Sequence, residues 1–215
     1  MLSWKIKICG ITNVADAQAV ARFGADAIGL NFYPRSLRCV SPEKALAITN
    51  ATPAAVARIG VFVNDSIANI NATVTDLPLT ATQLHGDESP VSVDEIEGEV
   101  LRAVRVFPGQ LEAAQKQIQA WSDAGVSAIL LDAGGRGGYG GSGKQLDWKQ
   151  VSALAIDVPL VLAGGLNCDN VAQAIETVRP AAVDVASGVE NFPGKKDHEL
   201  LKRFIDSALE AFSRL

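Results

Sequence analysis

The sequence predicts an α/β protein, a single-domain (β/α)8 (TIM) barrel spanning residues 1–215. Three observations lead there. Short runs rich in Val, Ile and Leu alternate with longer helical segments from one end of the chain to the other. There are eight such runs, the number that closes a parallel barrel. The 215 residues show no linker, low-complexity block or break in composition, which argues for one domain.

The expected strands are Lys5–Cys9, Ala27–Asn31, Arg58–Val63, Ala81–Leu84, Val100–Arg105, Ala128–Asp132, Pro159–Ala163 and Ala182–Ala186. They carry little polar interruption, as strands do when both faces are buried in a parallel sheet. Helices are expected between them. Val14–Arg22 follows Thr12 or Asn13 as cap. Pro42–Asn50 has Ser41 as cap and Pro42 at the first helical position. Helical stretches are also expected at Ser66–Val74 and Ser89–Gly98. Gln110–Ala124 sets Leu111, Ala114, Ile118 and Trp121 on one face. Asn167 or Asp169 starts a helix ending at Val178, and Asp197–Phe212 forms the last one. A doubly wound open sheet would need a phosphate-binding turn after its first strand, and Cys9-Gly10-Ile11-Thr12 is not one.

Composition removes several function classes. The net charge of −5 offers no basic patch from which a nucleic acid could release counterions. No apolar run approaches the roughly 18 residues of a membrane span, and the charged Met1–Lys7 start is not a signal peptide. Cys9, Cys39 and Cys168 form no Cys-x-x-Cys pair, which points to a reducing cytoplasm and away from structural zinc. With only two histidines, His85 and His198, no metal site is expected. A monomer or weak homodimer is expected.

Chemistry in a barrel gathers at the C-terminal ends of the strands. Cys9 ends the first and Asp132 the sixth, so both should point into one mouth. Residue type alone would leave Cys9 a small buried hydrophobe and Asp132 a turn residue; position raises them above that. Glycine turns at Gly164-Gly165 and Ser187-Gly188 follow the last two strands, where barrels hold phosphate on backbone amides. Arg38, in the loop after the second strand, could clamp a carboxylate through a bidentate pair, with Arg35 as its nearby rival. The stretch Gly134–Lys144 matches two nucleotide patterns by accident: Gln145 stands where a Ser or Thr should hold magnesium. A glycine-rich loop close to ligand, including Gly141 and Gly143, is the better reading.

These segments together resemble a known family. Lys7-Ile8-Cys9-Gly10-Ile11-Thr12, Gln83-Leu84-His85-Gly86, Leu131-Asp132, Gly140-Gly141-Ser142-Gly143-Lys144, Asp184–Glu190 and Pro193–Asp197 are similar, in this order, to phosphoribosylanthranilate isomerase. The resemblance runs from about Lys5 to about Phe204. It implies a cofactor-free Amadori rearrangement of N-(5-phosphoribosyl)anthranilate to 1-(2-carboxyphenylamino)-1-deoxyribulose 5-phosphate, the third step from chorismate to tryptophan. It also implies Cys9 as general base, Asp132 as general acid and Arg38 as ligand of the anthranilate carboxylate. Phosphate would sit on Gly164, Gly165, Ser187 and Gly188 with Gly141 and Gly143 close by. His85 and Asp184 match family positions in the mouth. Ala163 and Ala186 stand where Ser is common, which removes two hydroxyls but no amide.

The chemistry asks for the same parts. An acid must open the furanose at its ring oxygen, and a base must then take the proton from C2. A thiol is a base only where its surroundings favour thiolate, and an acid carboxyl must keep a proton that ordinary aspartate has lost. Two alternatives are weighed against this: another phosphate-binding barrel enzyme acting on a sugar phosphate, and a barrel that binds phosphosugar without turnover. A metal-dependent epimerase would show histidine and carboxylate ligands at strand ends, and the synthase that follows in the pathway would show a lysine acid on a strand.

Overall fold

The computed structural model describes residues 2–133 and 146–215. Eight parallel strands close into a barrel: β1 (Ile6–Cys9), β2 (Ala27–Asn31), β3 (Ala57–Phe62), β4 (Ala81–Leu84), β5 (Glu99–Val106), β6 (Ala128–Ala133), β7 (Leu160–Leu162) and β8 (Ala182–Val185). Each pairs with the next in sequence, and β8 returns to β1 with Lys7 opposite Asp184. The helices are α1 (Val14–Phe23), α2 (Pro42–Ala51), α3 (Ile67–Asp76), α4 (Leu111–Asp123), α5 (Trp148–Val151), α6 (Val171–Val178) and α7 (His198–Ser213). All eight expected strands are present, each end within one residue.

The period of two along each strand separates two cores. Outward-facing Ile6, Ile8, Ile28, Leu30, Ile129 and Leu131 pack under the helices. Inward-facing Ala27, Ile59, Ala81, Leu101, Ala128, Leu130, Val161 and Ala182 fill the barrel, with Trp4 packed among them. The many alanines fit because eight strands converge on one axis and layers must alternate small with large. One step higher the inward positions turn polar: Cys9, Asn31, Gln83, Asp132 and Asp184. These inward polar side chains gather at one end of the barrel.

Local capping agrees with the sequence where side chains face the helix. Asn13, not Thr12, caps α1, accepting from the Asp16 amide at 2.9 Å; the Thr12 hydroxyl donates instead to the Gly194 carbonyl. Ser41 caps α2 and Asp197 caps α7. The start of α6 differs from expectation. Asn170 takes the N-cap position, and its side chain accepts from the Asn167 amide and donates to the Gly165 carbonyl at 3.0 Å. The expected helix at Ser89–Gly98 is a short 3-10 helix, Pro90–Glu95. Ser89 supplies no side-chain cap, and Asp94 and Glu95 put negative charge at the end where the helix dipole disfavours it. The short α5 and an antiparallel hairpin, β9 (Glu190–Phe192) and β10 (Lys195–Lys196), were not expected. That hairpin reaches back over β1, and it matters for the site.

Candidate active site

The polar end of the barrel opens as a cavity of about 810 Å³, part of it open to solvent. Cys9, Arg38, His85, Asp132, Asp184 and the turn Gly164-Gly165 all line it, as does Ser187. Gly188 stands behind the wall: a Cβ there would lie 1.9 Å from the Leu166 carbonyl oxygen, so only glycine lets the turns after β7 and β8 meet. Gly141 and Gly143 fall outside the described residues. Arg35 is exposed and lines no part of the cavity, whereas Arg38 is half-buried at its edge.

Cys9 and Asp132 stand on β1 and β6, three strands apart around the ring of eight, so they face the cavity from different sides. Beneath Cys9 lies Lys7, fully buried, with Nζ 2.9 Å from Asp184 Oδ1. Burial alone would lower the pKa of Lys7, but the charge of Asp184 and the side-chain hydrogen bonds to Asp184 and Cys9 pull the other way, and the net direction is upward. For Cys9 the balance goes the other way. Burial raises its pKa, Lys7 and Lys196 pull it down, Asp184 pushes it up, and the net direction is upward. The resting sulfur is therefore a thiol at neutral pH. The expectation of surroundings that favour thiolate is met by the two cations and overridden by burial.

Asp132 is 7 % exposed. The turn after β7 lies directly against it: a Cβ on Gly164, whose φ is +79°, would meet Asp132 Oδ1 at 3.0 Å and the Ala133 amide nitrogen at 2.4 Å. The Gln83 amide donates to His85 Nδ1 at 2.9 Å, so the neutral ring carries its hydrogen on Nε2. Nε2 is buried, makes no hydrogen bond among the described residues, and lies 3.5 Å from Asp132 Oδ2. A donor set at that distance is free to turn to a substrate oxygen.

Arg38 does not offer an open fork. Its Nε and Nη2 donate to the two oxygens of Glu190 at 2.9 and 2.6 Å. The Glu190 hydrogen bonds hold the guanidinium firmly protonated. On the phosphate side, the amides of Gly164 and Gly165 donate no hydrogen bond among the described residues, and Asn170 braces their turn from behind. Ser187 and Gly188 begin a 3-10 turn, whose first amides have no carbonyl within the turn to bond.

Among the described residues no three His, Cys, Asp or Glu side chains converge as metal ligands, and no helix is long and apolar enough to cross a membrane. A lysine does stand on a strand, but Lys7 is sealed beneath Cys9 and paired, so it cannot serve as the acid of the rival synthase reading. Lys7, Glu190 and Lys196 are the charged residues whose part in the site was not read from the sequence. The alternation that turns Cys9 inward also turns Lys7 inward, and that signal was available.

The family model of N-(5'-phosphoribosyl)anthranilate (PRA) isomerase matches residues 6–207. The N-(5'-phosphoribosyl)anthranilate isomerase of Acidithiobacillus ferrooxidans is 45% identical over 201 residues, covering 94% of this chain and 95% of its own. The crystal structure of phosphoribosyl anthranilate isomerase from Thermotoga maritima superposes with a TM-score of 0.86 at 43% identity, covering 96% of this chain and 99% of its own. A phosphoribosyl anthranilate isomerase in complex with reduced 1-(o-carboxyphenylamino)-1-deoxyribulose 5-phosphate superposes at 0.82 with 40% identity, over 96% and 99% of the two chains. With matches that span nearly its whole length, the chain belongs to the N-(5'-phosphoribosyl)anthranilate isomerase family.

Proposed function

We propose that this chain isomerises N-(5-phosphoribosyl)anthranilate to 1-(2-carboxyphenylamino)-1-deoxyribulose 5-phosphate, with Asp132 as general acid and Cys9 as general base. The observation that carries the reading is one cavity lined by both groups, with an arginine at one edge and unbonded glycine amides at another. Asp132 protonates the furanose ring oxygen, the C1–O bond breaks, and the nitrogen lone pair forms the Schiff base. Cys9 then takes the C2 proton, and the electrons of that bond form C1=C2 and neutralise the nitrogen. The enol-amine gives up its hydroxyl proton and gains one at C1. No electrons leave the substrate, so no redox partner is needed.

Binding follows from the substrate's two negative ends. Arg38 takes the ring carboxylate with the edge that Glu190 leaves free. The amides of Gly164, Gly165, Ser187 and Gly188 take the phosphate, with Gly141 and Gly143 assigned to the same end. His85 donates to a sugar oxygen, while Asp184 acts through Lys7. One closed barrel carries all of the described groups, which supports reading residues 1–215 as one catalytic domain that needs no second subunit. A working thiol at Cys9 fits a reducing cytoplasm.

The test is genetic. The chain should restore growth without tryptophan to a bacterial strain that lacks this isomerase; failure despite soluble expression contradicts the reading. Purified enzyme should also keep its activity after exhaustive chelation, because acid and base alone suffice. Activity lost to EDTA and restored by a divalent ion would overturn that. Arg38→Ala should raise KM about 10- to 100-fold, the value of a charged hydrogen bond of roughly 1.5–3 kcal/mol. Arg38→Lys should not restore it, since a point charge cannot bond Glu190 and the substrate with two planar edges. Damage from Arg35→Ala with a silent Arg38→Ala would reverse the assignment.

A further inference from the structure

The hairpin β9–β10 brings two buried charges to Arg38. Glu190 receives Arg38 Nε and Nη2, the Gly194 amide at 3.3 Å, and Lys196 Nζ at 2.8 Å. Lys196 has a fully buried side chain, and Nζ also donates to the carbonyls of Cys9 at 2.7 Å and Ala186 at 3.0 Å. Three acceptors match all three donors of an ammonium, so Lys196 has nothing left for a ligand; burial lowers its pKa, and the charge and hydrogen bond of Glu190 work to hold its proton. The Arg38 stem lies on Gly10, where a Cβ would stand 2.4 Å from Arg38 Cδ; the backbone just after β1 thus forms its floor.

We propose that Glu190 and Lys196 are positioning residues for Arg38. Glu190 fixes one edge of the guanidinium, and Lys196 offsets the charge of Glu190, so the free edge meets the ring carboxylate as part of a net cation. This rests on the reading of Arg38 as the ligand of that carboxylate. The count of donors supports it. Of five guanidinium N–H groups, one on Nε and one on Nη2 are used by Glu190, and the remaining three make no hydrogen bond among the described residues. The count of charge supports it too. Arg38 and Glu190 alone would cancel, whereas the trio with Lys196 keeps one positive charge. A long side chain held in place beforehand also loses less freedom when the ligand arrives.

A rival role for Glu190 makes the opposite prediction. If Glu190 merely competed with the substrate for Arg38, its removal would tighten binding. The probes are the reduced product analogue, reduced 1-(o-carboxyphenylamino)-1-deoxyribulose 5-phosphate, and its counterpart without the ring carboxylate. Their inhibition constants are measured on wild type, Arg38→Met, Glu190→Gln and the double variant. Wild type should prefer the carboxylated probe by about 10- to 100-fold, and Glu190→Gln should lose about tenfold of that preference while binding the other probe within about twofold of wild type. The double variant should be no worse than Arg38→Met, since the two residues act as one unit. Lys196→Met should lose preference in the same sense. Tighter binding of the carboxylated probe by Glu190→Gln, or fully additive losses, overturns the proposal. If Glu190→Gln does not fold, Glu190→Asp keeps the charge and withdraws it by one methylene: lost preference supports positioning, and unchanged preference overturns it. A wild type without any preference would overturn the proposal through Arg38 itself, and it would leave isomerase activity, measured separately, untouched.

Discussion

Cys9→Ser should lower kcat by about 10³-fold or more, near the upper range for loss of a general base, while the enzyme still binds substrate. Serine keeps the shape of the side chain, but its hydroxyl scarcely ionises at neutral pH, so proton removal from C2 fails. The wild-type pH profile gives the same group a second signature. Burial raises the Cys9 pKa above the ordinary thiol range, so the thiol form dominates at pH 7. Each unit of pH then brings about tenfold more thiolate until the pKa is passed, and the ascending limb that Cys9 contributes to kcat/KM should end above the ordinary thiol range. The sign follows from the direction of the shift: a raised pKa moves the end of the climb to higher pH than an ordinary thiol would give, and a lowered one would move it to lower pH. Lys7 and Lys196 supply the cations that meet the thiolate once it forms. In Cys9→Ser the climb should vanish. Near-wild-type kcat/KM in this variant would return Cys9 to the role of a small core residue.

Asp132→Asn should cost about 10²- to 10⁴-fold in kcat, the range of a positioned general acid. The amide matches the carboxyl in size and keeps the contacts with Gly164 and His85, so binding and fold should hold. It has no carboxylic proton to give, and the furanose stays closed. His85, 3.5 Å from Asp132 Oδ2, contacts the acid without replacing it, so Asp132→Asn should not be rescued by the imidazole. A variant that turns over at wild-type rate, or one that loses only KM, contradicts the assignment.

Much of this was legible in the sequence for physical reasons. A parallel strand buried on both faces reads as an apolar run, and the eight runs located every barrel strand to within a residue. The placement of Cys9 and Asp132 in one cavity was legible because a barrel fixes where strand ends point. What escaped was of two kinds. Partners distant along the chain leave no local trace: Arg38 and Glu190 are 152 residues apart, and Lys7 and Asp184 are 177 apart. Short elements also carry too few residues to show a period, as with the hairpin of Glu190–Phe192 and Lys195–Lys196. The protonation of Cys9 was illegible for a third reason. Its cationic neighbours favour thiolate and its burial opposes them, and only the folded arrangement shows that burial wins.

We propose that this one cavity isomerises N-(5-phosphoribosyl)anthranilate without metal or cofactor. The most direct measurement is a continuous assay of the loss of substrate fluorescence, with purified enzyme in excess chelator, run beside Cys9→Ser and Asp132→Asn. Wild type should show saturable turnover, and both variants should run at near-background rates. A wild type that leaves the fluorescence unchanged would rule out the isomerase activity, and variants that match wild type would rule out Cys9 and Asp132 as its base and acid.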